Sequence, residues 1–365
     1  MRAVIISRHM SGFGGTETVL AKVASYYHMK DRNSAVHVDL LLPQGVEDKR
    51  FLAEFNLSDV ISTRISPKNE NRKIRNLRGL LAIVSYLEKY KPSIVICITS
   101  KLVVLLYNLR KMLHLKFKIV SWIHFSLDND ATTDTDQLKL ADYHLAISSG
   151  IQQQLVQRGI KAEKISVIYN PVTRVSKSGS KRRNNRSQIT EFAYVGRIQL
   201  FGQKNLNELL EAAKRLQGSW HISIVGDGAD KELLRKAIKQ AKLEENITLV
   251  GWQSNPWKAS DKFDCCLLTS TYEGFGMVLV EAISRGIPVI SSDCPTGPDE
   301  LVTSDNGYIY QMGDYKSLAR LMQKFIDGKT NFSQEKIINS LEPFYDDAYF
   351  NRLTDALVHV DSLEG

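Results

Sequence analysis

Short apolar runs alternate with stretches of helical periodicity along almost the whole chain. Ala3–Ser7, Val36–Leu42, Ile94–Ile98, Lys118–Trp122 and Tyr143–Ser148 are apolar on both sides of the pleat, as strands buried on both faces of a parallel sheet are. Between them, Thr16–Lys30, Ile74–Tyr90 and Ile151–Arg158 space their apolar residues as helices do. The same grammar returns in Glu191–Val195, His221–Val225, Ile247–Val250, Cys265–Thr269 and Val289–Ser292, with a helix body over Leu279–Arg285. Such alternation, given twice, predicts an α/β fold with two parallel sheets.

The two halves part at Val175-Ser-Lys-Ser-Gly-Ser-Lys-Arg-Arg-Asn-Asn-Arg-Ser187, which has no apolar residue after Val175. It predicts an exposed, flexible linker, although a basic run of this kind also suits phosphate. The domain bounds are therefore 1–172 for the first domain, 173–190 for the linker and 191–342 for the second domain. A segment of helical periodicity, 343–365, closes the chain. At 365 residues there is length enough for two separate cores.

Composition adds a class and a compartment. With 43% hydrophobic and 24% charged residues the chain is of ordinary globular type. No apolar stretch approaches the roughly 20 residues of a membrane span. Met1-Arg-Ala-Val-Ile-Ile-Ser7 enters a strand directly, without the organisation of a signal peptide, which points to the cytoplasm. Cys97, Cys265, Cys266 and Cys294 have neither metal-site nor disulfide spacing and read as core thiols in a reducing compartment. The net charge of +8 is polarised: residues 1–170 hold 24 Lys+Arg against 15 Asp+Glu, and residues 191–365 hold 18 against 25. Either the first domain alone meets a polyanion or an anionic membrane, or its surface is simply solvated.

Six segments could carry chemistry. Glu273-Gly-Phe-Gly-Met-Val-Leu-Val-Glu281 joins a buried strand to a helix through a glycine turn, with carboxylates on the turn and two helical turns further along. Free backbone N–H groups at a helix start suit an anion, and paired carboxylates suit the hydroxyls of a sugar or ribose. Tyr194-Val-Gly-Arg-Ile-Gln-Leu-Phe-Gly-Gln-Lys-Asn205 puts Arg197 and Lys204 on one loop, where they would stabilise a departing diphosphate. Ser11-Gly-Phe-Gly-Gly-Thr-Glu-Thr18 follows the first strand; it lacks the spacing of the dinucleotide fingerprint and serves either as a ligand-approach loop or as a tight connection. His124 leaves the C-terminal end of a strand, where open α/β sheets bind ligands, while Asp128 is equally a turn or helix-cap residue. Gly226, Trp252 and Gln253 follow strands of the second domain and form either a nucleotide base pocket or plain turns. Finally, Arg64, Lys68, Arg72, Lys73, Arg75 and Arg78 stand against the single acid Glu70; this run suits a phosphorylated acceptor, anionic headgroups or bulk solvent.

Taken together, these motifs resemble the retaining glycosyltransferases of family 4, which have the GT-B architecture of two Rossmann-like domains with parallel sheets facing across a cleft. The E-x7-E pair Glu273/Glu281, Gly196-Arg197, Lys204 and Gly14-Gly15 carry the resemblance. Within the family the chain is similar to the lipopolysaccharide core galactosyltransferases, through Ser11-Gly-Phe-Gly-Gly, His124-Phe-Ser-Leu-Asp128, Ala141-Asp-Tyr-His-Leu-Ala-Ile-Ser-Ser-Gly150 and Leu267-Leu-Thr-Ser270. It departs from that subgroup at Gly276, where proline is frequent. The resemblance implies that Arg197 and Lys204 grip the UDP diphosphate, Glu281 holds the ribose, and Glu273 binds the donor sugar. Gly274, Phe275, Gly276, Met277 and Val278 would line sugar and phosphate, Gly14 and Gly15 would close over the diphosphate, and His124 would position the sugar.

It further implies transfer of a hexose, galactose foremost, from UDP-sugar to a lipid-linked lipopolysaccharide core acceptor, with retention, by front-face attack and without metal or other cofactor. The first domain, through Arg72, Lys73, Arg75 and Arg78, would meet the acceptor or the inner face of the bacterial inner membrane. The alternatives are a UDP-glucose or UDP-N-acetylglucosamine transferase acting on a capsule or exopolysaccharide acceptor, and a non-catalytic protein that binds nucleotide or, through its basic first domain, nucleic acid. The basic segments lack interleaved aromatics, so no nucleic-acid partner is expected. The C-terminal helix would cross back onto the first domain.

Overall fold

A computed structural model describes residues 1–7, 15–29, 36–46, 71–129, 133–175 and 189–363. Gly14, the basic residues Arg64 and Lys68, and most of the linker lie outside the described residues. Two compact units are present: Met1–Pro171 with Tyr349–Gly365, and Val172–Ala348.

The first unit holds strands β1 (Arg2–Ile6), β2 (His37–Leu41), β3 (Ile94–Cys97), β4 (Lys118–Ile123), β5 (Tyr143–Ala146) and β6 (Ile165–Val167). They form one parallel sheet in the order β2-β1-β3-β4-β5-β6. Ala3 to Ile6 and Ile94 to Cys97 are buried throughout, which explains why these runs are continuously apolar rather than alternating. Two polar side chains inside the sheet satisfy each other, Ser121 Oγ lying 2.7 Å from His144 Nδ1. Burial pushes the His144 imidazole down to about 4, so the ring is neutral near pH 7. The β5 run ends before Ser148 because that residue turns to cap the helix Ser149–Gln157, its hydroxyl accepting from Ile151 N at 3.2 Å. The C-terminal helix Asp346–Ser362 packs on the helix Gly15–Met29. Tyr26 stacks on Phe350 there, and Tyr27 Oη lies 2.7 Å from Thr354 Oγ1.

The second unit holds β7 (Thr190–Val195), β8 (Trp220–Val225), β9 (Ile247–Gly251), β10 (Cys265–Leu268), β11 (Val289–Ser292) and β12 (Gly307–Tyr310). Their order, β12-β11-β10-β7-β8-β9, is that of a doubly wound sheet with its topological switch point between β7 and β10. The core includes Phe192, Tyr194, Leu209, Ile222, Leu267 and Met322. Where the chain enters and leaves this unit, Val172 pairs with Tyr345 and the Arg174 guanidinium grips Glu342 through two hydrogen bonds of 2.8 and 2.5 Å. Strands β6 and β12 were not expected from the pattern; both are edge strands of only three and four residues. All four cysteines are buried free thiols.

Candidate active site

The loops leaving β7 and β10 meet at the switch point of the second sheet, where ligands bind in open α/β folds. They are joined by Thr271 N donating to Gln203 O at 2.7 Å and Thr269 Oγ1 donating to Lys204 O at 2.9 Å. This brings Lys204 Nζ to 2.6 Å from Glu273 Oε1, with the two side chains only 14% and 11% exposed. Ser270 Oγ donates to the same carboxylate oxygen at 2.6 Å. Ser270 is itself fixed by Ser292 Oγ, which donates to its carbonyl at 2.6 Å from the neighbouring strand end. Arg197 is exposed on the same loop, donating to Gln203 Oε1 at 2.7 Å, while Gln203 Nε2 donates to Tyr272 O at 3.2 Å. Two cations and one carboxylate are thus pre-positioned along one lip of the sheet.

The glycine turn is shaped from below. Phe275 is buried and anchors the turn beside Phe344, at 5.8 Å between ring centroids. Gly276 has φ 89°, a value closed to proline and strained for any L side chain. The loop after β11 props the turn. Glu273 N donates to Pro295 O at 3.3 Å, and Thr296 Oγ1 donates to Glu273 O. A Cβ at Gly297 would lie 2.2 Å from Phe275 O, so only glycine allows this approach. Pro295, Thr296 and Gly297 were not anticipated; the Pro-Thr-Gly-Pro run after a buried strand was the signal available.

Glu281 sits in the helix Met277–Ile283. Half of the E-x7-E interval is taken up by the turn, so Glu281 lies about one helical turn in rather than two. Its Oε2 accepts from Trp257 Nε1 at 2.7 Å, a partner that sequence reading missed. Burial holds the Glu281 carboxyl above its ordinary range, and the Trp257 hydrogen bond partly offsets the shift. Gly226, expected near a base pocket, has its own packing reason: a Cβ there would lie 1.9 Å from Gly196 O. Trp252 and Gln253 are exposed just beyond β9.

In the first unit, His124 follows β4 and is buried, its ring 4.6 Å from that of Trp122. Burial pushes its imidazole down to about 3, so it is neutral. Among the described residues its Nε2 has no hydrogen-bond partner. Asp128 resolves toward the turn alternative: it accepts from Gln154 Nε2 at 2.8 Å and from Arg158 Nη2 at 2.5 Å. Gln154, buried and unforeseen, also accepts from Leu127 N at 2.8 Å, tying the loop after His124 to the helix Ser149–Gln157. Gly15 begins the helix after β1. The helix Arg72–Tyr90 starts where Asn71 caps it, its side chain accepting from Lys73 N at 2.9 Å. Arg72 and Arg75 line a cavity, whereas Lys73 and Arg78 lie on the helix outside it.

A pair of doubly wound units, one carrying cations and carboxylates on its switch-point loops, defines a glycosyltransferase of the GT-B class. The family models agree: residues 13–174 match Glycosyltransferase Family 4 and residues 179–340 match Glycosyl transferases group 1. The chain belongs to glycosyltransferase family 4. It is 34% identical to the lipopolysaccharide 1,6-galactosyltransferase of Escherichia coli K12, across 98% of each chain. The solved apo structure of the lipopolysaccharide outer core galactosyltransferase WaaB superposes with a TM-score of 0.82 at 32% identity, covering 98% of this chain and 99% of that one. Anabaena HepE in complex with UDP shares the fold, with a TM-score of 0.76 at 19% identity over 98% of this chain and all of that one.

Proposed function

We propose that this enzyme transfers galactose from UDP-galactose to a sugar of the lipopolysaccharide core, with retention of anomeric configuration. The observation that carries the reading is the Lys204–Glu273–Ser270 cluster at the switch point, backed by Arg197 and by Glu281 one helical turn beyond the glycine turn. The name of the full-length relative supplies galactose and lipopolysaccharide, and that of the solved structure supplies the core.

In this reading Lys204 and Arg197 face the diphosphate, where negative charge grows as the bond to the sugar breaks. Fixed cations at a partly buried lip stabilise that charge without reorganising. Glu273, held by Ser270 and Lys204, accepts from hydroxyls of the donor sugar. Glu281 accepts from the ribose hydroxyls, and the backbone from Gly274 to Val278 meets sugar and phosphate at the start of the helix. Gly226, Trp252 and Gln253 border the base. The acceptor hydroxyl attacks C1 on the face that UDP leaves, the C1–O bond to the β-phosphate breaks, and a phosphate oxygen takes the hydroxyl proton. Positioning and leaving-group stabilisation then supply most of the rate.

The same reading places the protein on the cytoplasmic face of an anionic membrane. No described helix is long and apolar enough to cross a membrane. The helix Arg72–Tyr90 instead exposes Ile74, Leu77 and Leu81 along one stripe, beside Lys73 and Arg78. Such a face suits shallow insertion among anionic headgroups.

The test is transfer from UDP-galactose, UDP-glucose and UDP-N-acetylglucosamine, offered separately with extracted core acceptor, with and without chelator. Chelator-resistant transfer from UDP-galactose is the expected result. Transfer from another donor alone would reassign the sugar, and transfer only to a capsule intermediate would reassign the acceptor.

A further inference from the structure

The first unit contains a cavity of about 650 Å³ whose lining is built from four places in the fold. Ser7 follows β1, and Pro43 and Gln44 follow β2. Arg72, Arg75 and Asn76 come from the start of the helix Arg72–Tyr90, while Lys101, Leu102 and Leu105 come from the start of the helix Ser100–Met112. It therefore opens at the carboxyl ends of the strands, where this class of sheet binds ligands. Its volume falls within the roughly 300–1,000 Å³ of small-molecule sites.

The electrostatics are one-sided. Among the described residues the lining contains no carboxylate, and Arg72, Arg75 and Lys101 form no ion pair. Arg75 Nε is buried with no hydrogen-bond partner among the described residues. These cations also stand where helix physics disfavours them. Both helices have no acidic residue in the first turn, and both carry cations there, so each cation sits on the positive end of a helix dipole. Among the described residues this arrangement works against folding, and an anion in the cavity would offset it. The apolar floor of Leu80, Ile83, Leu102 and Leu105 leaves room beside that anion for the less polar face of a sugar ring.

We propose that this cavity binds a phosphate group carried on the sugar acceptor, with Arg72, Arg75 and Lys101 as its ligands. The word acceptor rests on the glycosyl-transfer reading above; the phosphate site itself does not. It also divides the helix Arg72–Tyr90 between two tasks. Arg72, Arg75, Asn76, Gly79 and Ile83 face the cavity, and at about 3.6 residues per turn the stripe of Ile74, Leu77 and Leu81 lies on the opposite side.

The test uses the full chain and delipidated core oligosaccharide, either native or freed of its phosphates by hydrofluoric acid. For the unsubstituted enzyme, the acceptor KM is expected to be roughly tenfold lower with phosphate than without. Arg72→Gln combined with Lys101→Gln should abolish that difference, leaving kcat and the KM for the donor within about a factor of two. Arg72→Lys with Lys101→Arg should restore most of it, because charge is kept. Equal KM values for the two acceptors, or an unchanged phosphate preference in the Gln variant, would overturn the proposal.

A second arm needs no transfer activity. With UDP present in saturating amount to fill the donor site, inorganic phosphate should raise the thermal midpoint of the unsubstituted protein but not that of the double Gln variant. Without any anion, the double variant should melt higher than the unsubstituted protein, since two misplaced cations are gone. Absence of the phosphate shift would overturn the site even if transfer proceeds, whereas a shift without transfer would fault the enzymatic reading alone. A third arm measures binding to phosphatidylglycerol vesicles. Loss of vesicle binding with unchanged acceptor kinetics would assign the cavity to lipid headgroups and overturn the acceptor proposal.

Discussion

Replacing Lys204 with methionine keeps most of the stem and removes the charge from the pair that organises the site. Glu273 would retain the Ser270 hydroxyl but lose its cation, with its side chain only 11% exposed. Removing one partner of a buried pair costs about 3–5 kcal/mol. The surviving Ser270 bond and the open lip put Lys204→Met at the lower end, about 3 kcal/mol. Glu273→Gln should cost a similar amount, because it strands the ammonium. In the double variant a thioether faces an amide and no charge is buried, so the two losses should not add; a coupling of about 2 kcal/mol is expected. Urea unfolding followed by tryptophan fluorescence measures this well, since Trp220, Trp252 and Trp257 all belong to the second unit. Transfer should behave differently. Lys204→Met should lower kcat/KM roughly 100- to 1,000-fold, and the double variant should remain as inactive although it loses less stability than the two single variants together. Strictly additive stabilities would refute the buried pair. Recovery of transfer in the double variant would refute the role of Lys204 at the diphosphate.

Three further outcomes follow from the same geometry. Glu281 has a raised carboxyl pKa, so the folded state favours the protonated form more than the unfolded chain does. The stabilisation from that protonation is complete below the unfolded value and is lost as pH rises through the folded one. Glu281→Gln should therefore raise the melting temperature at neutral pH and flatten its rise on mild acidification, while calorimetry shows UDP affinity falling roughly tenfold or more. Gly297→Ala should disturb the turn through Phe275 O, losing donor affinity and about 2 kcal/mol of stability in urea. Gly313→Ala is the control, with a similar φ of 87° and nothing within 4 Å. Gln154→Leu should destabilise the first unit by about 2 kcal/mol by stripping partners from Leu127 N and Asp128, with calorimetric UDP affinity unchanged.

Much of this architecture was legible in the sequence because it is local. Continuous apolar runs announced strands covered on both faces, and glycines at strand exits announced the loops that carry Arg197, Lys204 and Glu273. Strands β6 and β12 escaped because a short edge strand leaves little pattern. The helpers at the site escaped for a different reason. Trp257 reaches Glu281, Thr296 reaches Glu273, and Gln154 reaches Asp128 across separations that only the folded sheet order closes. Lys101 escaped as well: in sequence it is one cation opening an apolar helix, and only the fold sets it beside Arg72 and Arg75. Asp128 shows the converse, since a carboxylate near a candidate His proved to be an anchor for its loop.

The central claim is that the switch-point loops of the second unit form a UDP-sugar site. A crystal structure of the protein soaked with UDP tests it most directly. The account predicts the diphosphate against Arg197 and Lys204, the ribose hydroxyls on Glu281, and Glu273 facing the space beyond the β-phosphate. UDP bound elsewhere, or ribose density remote from Glu281, would contradict it.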